Sequence, residues 1–177
     1  MGRVLFLVVT LQLAIIGPLS AQHPMRWTVR GDTSGAPRGC SAAAGISAIS
    51  GWFAAFERAD STALARMTPA TYRGRFVFSI GGFTKTEGFF VAHSLHELLP
   101  YARDRARRHE HVTIQEVTFN RWRGQGLQFG PIYFLRTVDD LAKKPLPGIG
   151  KGEYSCNRGV SVLNLAPRPD FDPGPHL

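Results

Sequence analysis

The sequence predicts one α+β domain, a cone-shaped roll in which a curved antiparallel sheet wraps around helices. Three observations lead to this prediction. Helical periodicity is confined to short segments in the earlier part of the chain, alternating apolar patterns dominate the later part, and 12 phenylalanines supply rigid rings for a core. Helices followed by long alternating strands are typical of α+β folds, and a chain of 177 residues is of the right length for a single domain.

Residues 1–21 have the layout of a secretory signal peptide. Arg3 supplies a positive charge, residues 4–16 are largely apolar, and Gly17-Pro18 breaks the run shortly before Ala21. The apolar run is shorter than the roughly 20 residues that span a bilayer. We therefore expect cleavage after Ala21 and a secreted or periplasmic protein that has no membrane contact afterwards. An uncleaved N-terminal anchor is the alternative.

Two cysteines, Cys40 and Cys156, follow this leader. Thiols of exported proteins meet an oxidising compartment, where they are usually found as disulfides. We expect a disulfide between the start of the first helix and a late strand, and the alternative is two buried free thiols that behave as small apolar side chains. The formal net charge of +8 favours anionic surroundings but specifies no fold.

The domain is expected at residues 40–166, after a flexible lead-in at 22–39 that is rich in Gly, Pro, Arg and Thr. Asp60 or Ser61 is suited to cap a short second helix that runs to Met67. The first helix is predicted from Ala43 by apolar residues at three- and four-residue spacing, which place one apolar face along it: Ile46, Ile49, Phe53 and Phe56.

The middle of the chain predicts a hairpin and a third helix. Apolar residues alternate over 76–80 and are followed by Gly81-Gly82 and a second apolar stretch, which is a hairpin pattern. Ser94 and Glu97 have the spacing of a capping box, so the third helix is expected to begin at Leu95. Pro100 predicts a kink or a restart within it.

A β-bulge is predicted near Gln115-Glu116, because the apolar residues before it and after it have opposite parity. In the next strand Pro131 indicates an edge or a bend. The apolar face of that strand is predicted to consist of alternating residues on both sides of the proline: Leu127, Phe129, Tyr133 and Leu135.

The last part of the chain is expected to contain a surface connection over 138–150, final strands over 153–156 and 160–165, and a disordered Pro-rich tail over 167–177. The glycines and lysine of 148–152 resemble a phosphate loop only superficially, because Ser or Thr does not follow Lys151. We interpret this segment as a flexible loop that enters a strand.

The segment Trp52-Phe53-Ala54-Ala55-Phe56, followed by Asp60, Leu64 and Met67, resembles the opening helical pair of the nuclear transport factor 2-like superfamily, also called SnoaL-like. Phe129-Gly130-Pro131 and the segment from Gly150 to Leu165 resemble its later strands. The resemblance extends over 46–165 and implies a helix packed into a cone-shaped sheet that commonly encloses an apolar cavity. It implies no single activity, because the superfamily includes isomerases, cyclases and dehydratases beside many members without catalysis.

Candidate ligand-binding residues are the aromatic side chains that such a cavity would use: Trp52, Phe56, Tyr72, Phe89 and Tyr133. The alternative is that they are ordinary core residues. Glu116, at the suspected bulge, is a weak candidate for a buried proton carrier, since bulges often re-aim side chains toward sites. Its alternative is an outward-facing glutamate on a solvated face.

Metal and nucleic-acid sites are not expected. His93 and His96, or His109 and His111, have spacings that could place each pair on one face, but neither pair has a Cys/His cluster to complete a zinc site. The arginine-rich stretch over 103–108 is interpreted as a solvated helix face rather than a nucleic-acid surface.

The function expected from the sequence is binding of a small apolar ligand by an exported domain, without catalysis and without a cofactor. Two alternatives remain open. One is a cofactor-independent isomerase, cyclase or dehydratase that acts by proton transfer, and the other is a dimeric interaction module. An open cavity with a buried acid would favour the enzyme, whereas a cone filled by its own side chains would favour the interaction module.

Overall fold

The computed structural model describes residues 26–30, 40–68, 76–82, 88–120, 126–139, 145–156 and 159–167. Its helices are α1 (Ala42–Glu57), α2 (Ser61–Met67) and α3 (Leu95–Arg107). Its strands are β1 (Arg26–Val29), β2 (Val77–Gly81), β3 (Phe89–Ala92), β4 (His111–Phe119), β5 (Gly126–Thr137), β6 (Leu146–Ser155) and β7 (Gly159–Pro167). Among the helices described, none is long and apolar enough to cross a membrane.

The strands form one open sheet in the order β1-β4-β5-β6-β7-β2-β3. Strands β4 to β7 pair antiparallel in sequence, while β1 joins β4 and β2 joins β7 in parallel. The predicted α+β class is confirmed, but the sheet is mixed rather than antiparallel throughout. The chain between β2 and β7 includes helix α3 and several strands. Such a long connection allows two strands to pair in parallel, whereas a tight hairpin turn gives antiparallel pairing.

Helices α1 and α2 begin where side-chain caps are available. The hydroxyl oxygen of Ser41 accepts from the N–H of Ala44 at 3.1 Å, and Asp60 Oδ1 accepts from the N–H of Ala63 at 2.9 Å. Asp60, rather than Ser61, is therefore the cap of α2. The bond of Asp60 explains why the start of α2 could be predicted, whereas the cap Ser41 of α1 was not predicted.

Helix α3 begins with a variant of the predicted capping box. Ser94 Oγ accepts from the N–H of Glu97 at 3.2 Å, as expected. The carboxylate of Glu97 accepts from the N–H of His93 at 2.7 Å, one residue earlier than in the standard motif. Pro100 lies inside α3, and the helix continues through it rather than restarting.

The predicted hairpin is formed by β2 and β3. Phe78 lies opposite Ala92, Gly81 lies opposite Phe89, and the N–H of Gly82 donates to the carbonyl of Gly88 at 2.7 Å. The strand β3 is the edge of the sheet on this side, which leaves its outward side chains accessible.

The predicted bulge in β4 is confirmed, because the register of β4 and β5 shifts between Ile114 and Glu116. The single alternation predicted for β5 is wrong beyond Pro131. A further register shift lies between Phe129 and Ile132, so Ile132 and Phe134 are buried and Tyr133 is only half-buried. The additional residue at this irregularity changes the parity of all later positions in the strand.

The glycines of 148–152 belong to a strand rather than to the predicted loop, since β6 begins at Leu146. A Cβ added to Gly148 would lie 2.2 Å from the ring of Phe134, and one added to Gly152 would lie 2.5 Å from the ring of Phe129. The absence of a side chain at Gly148 and Gly152 therefore allows the rings of Phe134 and Phe129 from β5 to pack against the backbone of β6. A strand without side chains at alternate positions shows no apolar alternation.

Aromatic rings fill the space between the helices and the sheet. Trp52 stacks on Phe56 with ring centroids 5.5 Å apart and contacts Phe78 at 5.3 Å. The indole N–H of Trp52 donates to Thr68 Oγ1 at 3.1 Å, so its polar atom is satisfied inside the core. All three rings are fully buried.

Two contacts attach the segments that precede α1 to the sheet. The predicted disulfide between Cys40 and Cys156 is present, and it joins the residues before α1 to the end of β6. Strand β1 lies within the segment predicted as a flexible lead-in, and it pairs with β4 from Glu116 to Phe119. Nearby, the N–H of Val112 donates to Glu57 Oε1 at 2.8 Å.

Candidate functional site

A groove of about 770 Å³ lies on the face of the sheet that points away from the helices. The alternation of β2 identifies this face, because Phe78 and Ile80 are buried in the core and Ser79 between them lines the groove. We call this site the outer groove. Its side chains on β2, β3, β5, β6 and β7 are Ser79, Phe89, Gln128, Ile149, Lys151, Glu153, Val162, Asn164 and Ala166.

The centre of the outer groove is a polar row that runs across three strands. Lys151 on β6 lies opposite Asn164 on β7, and Asn164 lies opposite Ser79 on β2. The hydroxyl of Ser79 donates to Asn164 Oδ1 at 2.7 Å. This bond holds the amide in one orientation, with its NH2 group directed away from Ser79.

A second polar pair lies one position further along each strand face. Gln128 Nε2 donates to Glu153 Oε1 at 3.5 Å, a long hydrogen bond. At the rim, Asn120 Nδ2 donates to the carbonyl of Gly130 at 2.9 Å. These bonds fix polar side chains around the groove before any ligand arrives.

The apolar part of the outer groove lies beside the polar row, two residues further along the strands, where Ile149 is the register partner of Ala166. Phe89 on the edge strand β3 is 66% exposed and forms one wall. Ile149 and Ala166 are half-buried in the floor, whereas Val162 lies opposite Glu153 on the other side of the polar row. An apolar lining with a few placed polar groups, in a volume between about 300 and 1,000 Å³, is typical of small-molecule sites.

Of the five aromatic residues predicted for ligand binding, the four that the structure describes do not lie together. Phe89 lines the outer groove, whereas Trp52 and Phe56 lie on the opposite face of the sheet inside the core. Tyr133 pairs with Ile149 but lies outside the lining. Tyr72 is outside the described residues. The aromatic character of these residues therefore did not show which of them lie in the core and which line the groove.

Glu116 takes the solvated position that was the alternative to a buried acid. Its side chain is 31% exposed and lies 3.7 Å from Arg26 Nη2. It is opposite Tyr133 in the register of β4 and β5, on the outer face but outside the groove lining. An ion pair at this exposure is worth at most about 1 kcal/mol, so Glu116 is held only loosely.

A buried ionic cluster of Arg105, Glu110 and Arg136 was not predicted. The guanidinium of Arg136 donates from Nε to Glu110 Oε1 at 2.9 Å and from Nη1 to the carbonyl of Gly81 at 2.6 Å. Arg105 Nε lies 3.6 Å from Glu110 Oε2, and its guanidinium stands over the ring of Tyr101. The cluster connects α3, β4, β5 and β2.

Burial controls the titration of this cluster. Desolvation raises the pKa of Glu110 above its usual value, and the charges of Arg136 and Arg105 oppose that shift. Desolvation also raises the pKa of Tyr101, so this phenol stays neutral. The side chains of Arg136 and Glu110 are at most 1% exposed, which indicates a structural role. The alternation of β5 places Arg136 on the buried face only after the register shift between Phe129 and Ile132 is taken into account. The sequence pattern alone therefore does not identify Arg136 as a buried arginine.

Two histidine and carboxylate pairs lie near this cluster at the surface. His109 Nδ1 contacts Asp139 Oδ2 at 2.5 Å, and His111 Nδ1 contacts Glu57 Oε1 at 2.9 Å. These pairs remain separate. Within the described ranges, no group of three or more His, Cys, Asp or Glu side chains could hold a metal ion.

No protein-family model and no curated protein matches this chain. Solved structures resemble it in shape. A proposed calcium/calmodulin-dependent protein kinase II association domain from Xanthomonas campestris has a TM-score of 0.53 at 14% identity, over 83% of this chain and 99% of that chain. An NTF2-like protein of unknown function from Mesorhizobium loti has a TM-score of 0.50 at 10% identity, over 80% of this chain and 98% of that chain. With its helices packed on one face of a curved mixed sheet, the chain has the nuclear transport factor 2-like fold.

Proposed function

We propose that the protein binds a small apolar molecule in the outer groove and does not transform it. The ligand is placed on the outer face rather than inside the cone, because Trp52, Phe56 and Phe78 occupy the space between the helices and the sheet. The outer groove has the volume of a small-molecule site and an apolar floor. We prefer binding to proton transfer for two reasons. The carboxylate in the outer groove, Glu153, accepts a hydrogen bond from Gln128, and the predicted proton carrier Glu116 lies outside the groove lining.

The observation that carries this proposal is the exposure of Phe89. Two thirds of its surface is open to water, although it lies beside an apolar floor. Removing an apolar ring from water contributes about 25 cal/mol per Å², so a ligand that covers Phe89 gains affinity from this ring.

The experiment is a calorimetric titration with naphthylethanol, a neutral molecule with a flat apolar body. We expect Phe89→Ser to weaken its binding by about tenfold or more, because the variant removes the wall of the groove. Trp27→Ser is the matched control, since Trp27 is another exposed aromatic side chain at 49% but lies on β1, at the opposite edge of the sheet. The Trp27→Ser variant should bind naphthylethanol with the same affinity as the native protein.

Two results would contradict the proposal. One is the absence of naphthylethanol binding to the native protein, and the other is equal weakening by Phe89→Ser and Trp27→Ser. A dimeric interaction module is the second candidate. It is favoured by the cone that Trp52, Phe56 and Phe78 fill, and by the exposure of Val91 at 47% beside Phe89 on the same edge strand. Sedimentation distinguishes the two, because a dimer that Phe89→Ser converts to monomer identifies the groove as a subunit interface.

We further propose that the protein is exported. The leader predicted over residues 1–21 and the disulfide between Cys40 and Cys156 support this, since disulfides persist mainly in oxidising compartments. N-terminal sequencing of the protein recovered from its native host should begin at Gln22. A chain that retains Met1 would contradict cleavage after Ala21.

A further inference from the structure

The polar row of the outer groove contains two side chains that can donate hydrogen bonds to a ligand, Lys151 and Asn164. Lys151 and Asn164 are opposite each other on neighbouring strands, where Cβ atoms lie about 4.5–5.5 Å apart. Asn164 Oδ1 already accepts from the hydroxyl of Ser79 at 2.7 Å, so the amide offers its NH2 group. Lys151 adds an ammonium group, which can only donate. A ligand atom that meets this pair must therefore accept.

The side chain of Lys151 starts beside the backbone of β5. A Cβ on Gly130 would lie 2.8 Å from the Cβ of Lys151, so glycine at this position lets the lysine stem lie against the neighbouring strand. Asn120 donates to the carbonyl of the same Gly130 at 2.9 Å and steadies it. Lys151 is exposed, so its ammonium group is accessible to a ligand that enters the groove.

Charge and apolar surface lie on opposite sides of Lys151. Ile149 and Glu153 flank it on the same face of β6, each about 7 Å away along the strand. Gln128 donates to the carboxylate of Glu153 on one side. On the other side Ile149 and Ala166 are register partners and lead to the exposed ring of Phe89.

We propose that the ligand of the outer groove is an amphipathic monocarboxylic acid. Its carboxylate accepts hydrogen bonds from Lys151 Nζ and from the NH2 group of Asn164, and its apolar body lies over Ile149 and Ala166 against Phe89. A carboxylate matches two donors and one positive charge with two oxygens and one negative charge. This inference rests on the proposed function, because it names the class of molecule that the same groove binds.

The test compares three ligands with the same ring system: naphthylacetate, naphthylethanol and naphthylethylamine. Calorimetry at neutral pH and low salt should give the acid about tenfold or higher affinity over the alcohol, as expected for a charged hydrogen bond, and the weakest binding for the amine. Added salt should reduce the preference for the acid.

Variants of Lys151 locate the preference. Lys151→Met keeps the stem and removes the charge, so the affinity for the acid should fall by about tenfold and the preference for the acid over the alcohol should be lost. Lys151→Arg should retain the preference. Arg103→Met is the matched control, since Arg103 is an exposed cation on α3 outside the groove, and it should change none of the affinities.

The outcomes separate the two proposals. If the native protein binds acid and alcohol equally, or if Lys151→Met still prefers the acid, the carboxylate inference is overturned and the groove remains a binding site for apolar molecules. If none of the three ligands binds, the proposed function itself fails and the inference fails with it.

Discussion

Arg136→Met should lower the free energy of unfolding by about 3–5 kcal/mol, because removal of one partner leaves a buried charge without compensation. Arg136 contacts Glu110 through two guanidinium nitrogens at 2.9 and 2.8 Å, and neither side chain is more than 1% exposed. The variant also removes the donor to the carbonyl of Gly81, at the end of β2. Urea denaturation of the native protein and the variant measures the difference.

Arg26→Met is the control for Arg136→Met, because it breaks an ion pair of the same kind at 53% and 31% exposure. It should cost about 1 kcal/mol or less. The double variant Arg136→Met, Glu110→Gln should be more stable than the sum of the single variants predicts. Equal costs for Arg136→Met and Arg26→Met would show that the buried ionic cluster does not stabilise the fold.

The cost of Arg136→Met should depend on pH. Arg136 opposes the effect of burial on Glu110, so its removal raises the pKa of Glu110 further in the folded state. An acid whose pKa is raised by folding favours the folded state fully below the pKa of the unfolded chain. The loss of free energy of unfolding in Arg136→Met should therefore be smallest in acid. It should grow as the pH rises from the pKa of Glu110 in the unfolded chain to its higher pKa in the folded variant.

Replacing both cysteines with alanine should lower the free energy of unfolding by about 4–5 kcal/mol, because the disulfide closes a loop of 116 residues and restricts the unfolded chain. The stability of the variant should not change on addition of reductant, whereas reductant should lower that of the native protein to a similar value. Urea denaturation with and without reductant gives all four values. Two alkylated cysteines in the native protein without reductant would contradict the prediction.

The helix starts could be predicted because their signals are local. Asp60 caps α2 and Ser94 caps α3 through bonds that span three residues. The bulge in β4 was visible for a similar reason, since the change of parity occurs within the strand itself. Patterns that are complete within a few residues need no knowledge of the rest of the fold.

The parts that sequence reasoning missed depend on neighbouring strands. The glycines of β6 lie under the rings of Phe129 and Phe134, and both rings come from β5. The inward position of Arg136 follows from the register shift between Phe129 and Ile132. Pro131 indicated an edge or a bend there, but not the change of parity that follows it. The outer groove likewise joins β2, β3, β5, β6 and β7, and its polar row appears only when three strands are aligned.

The two edges of the sheet differ in what they offer to another chain. Strand β1 occupies the β4 edge from Glu116 to Phe119, and the carboxylate of Glu57 takes the N–H of Val112. Backbone groups that are already bonded cannot template the addition of a foreign strand, which is the first step of edge-to-edge aggregation. The strand β3 at the other edge is only four residues long, which limits how many bonds a foreign strand could form there. A chain that loses the segment around Trp27 would expose β4, a strand of nine residues, so we expect β1 to limit edge-to-edge association of this protein.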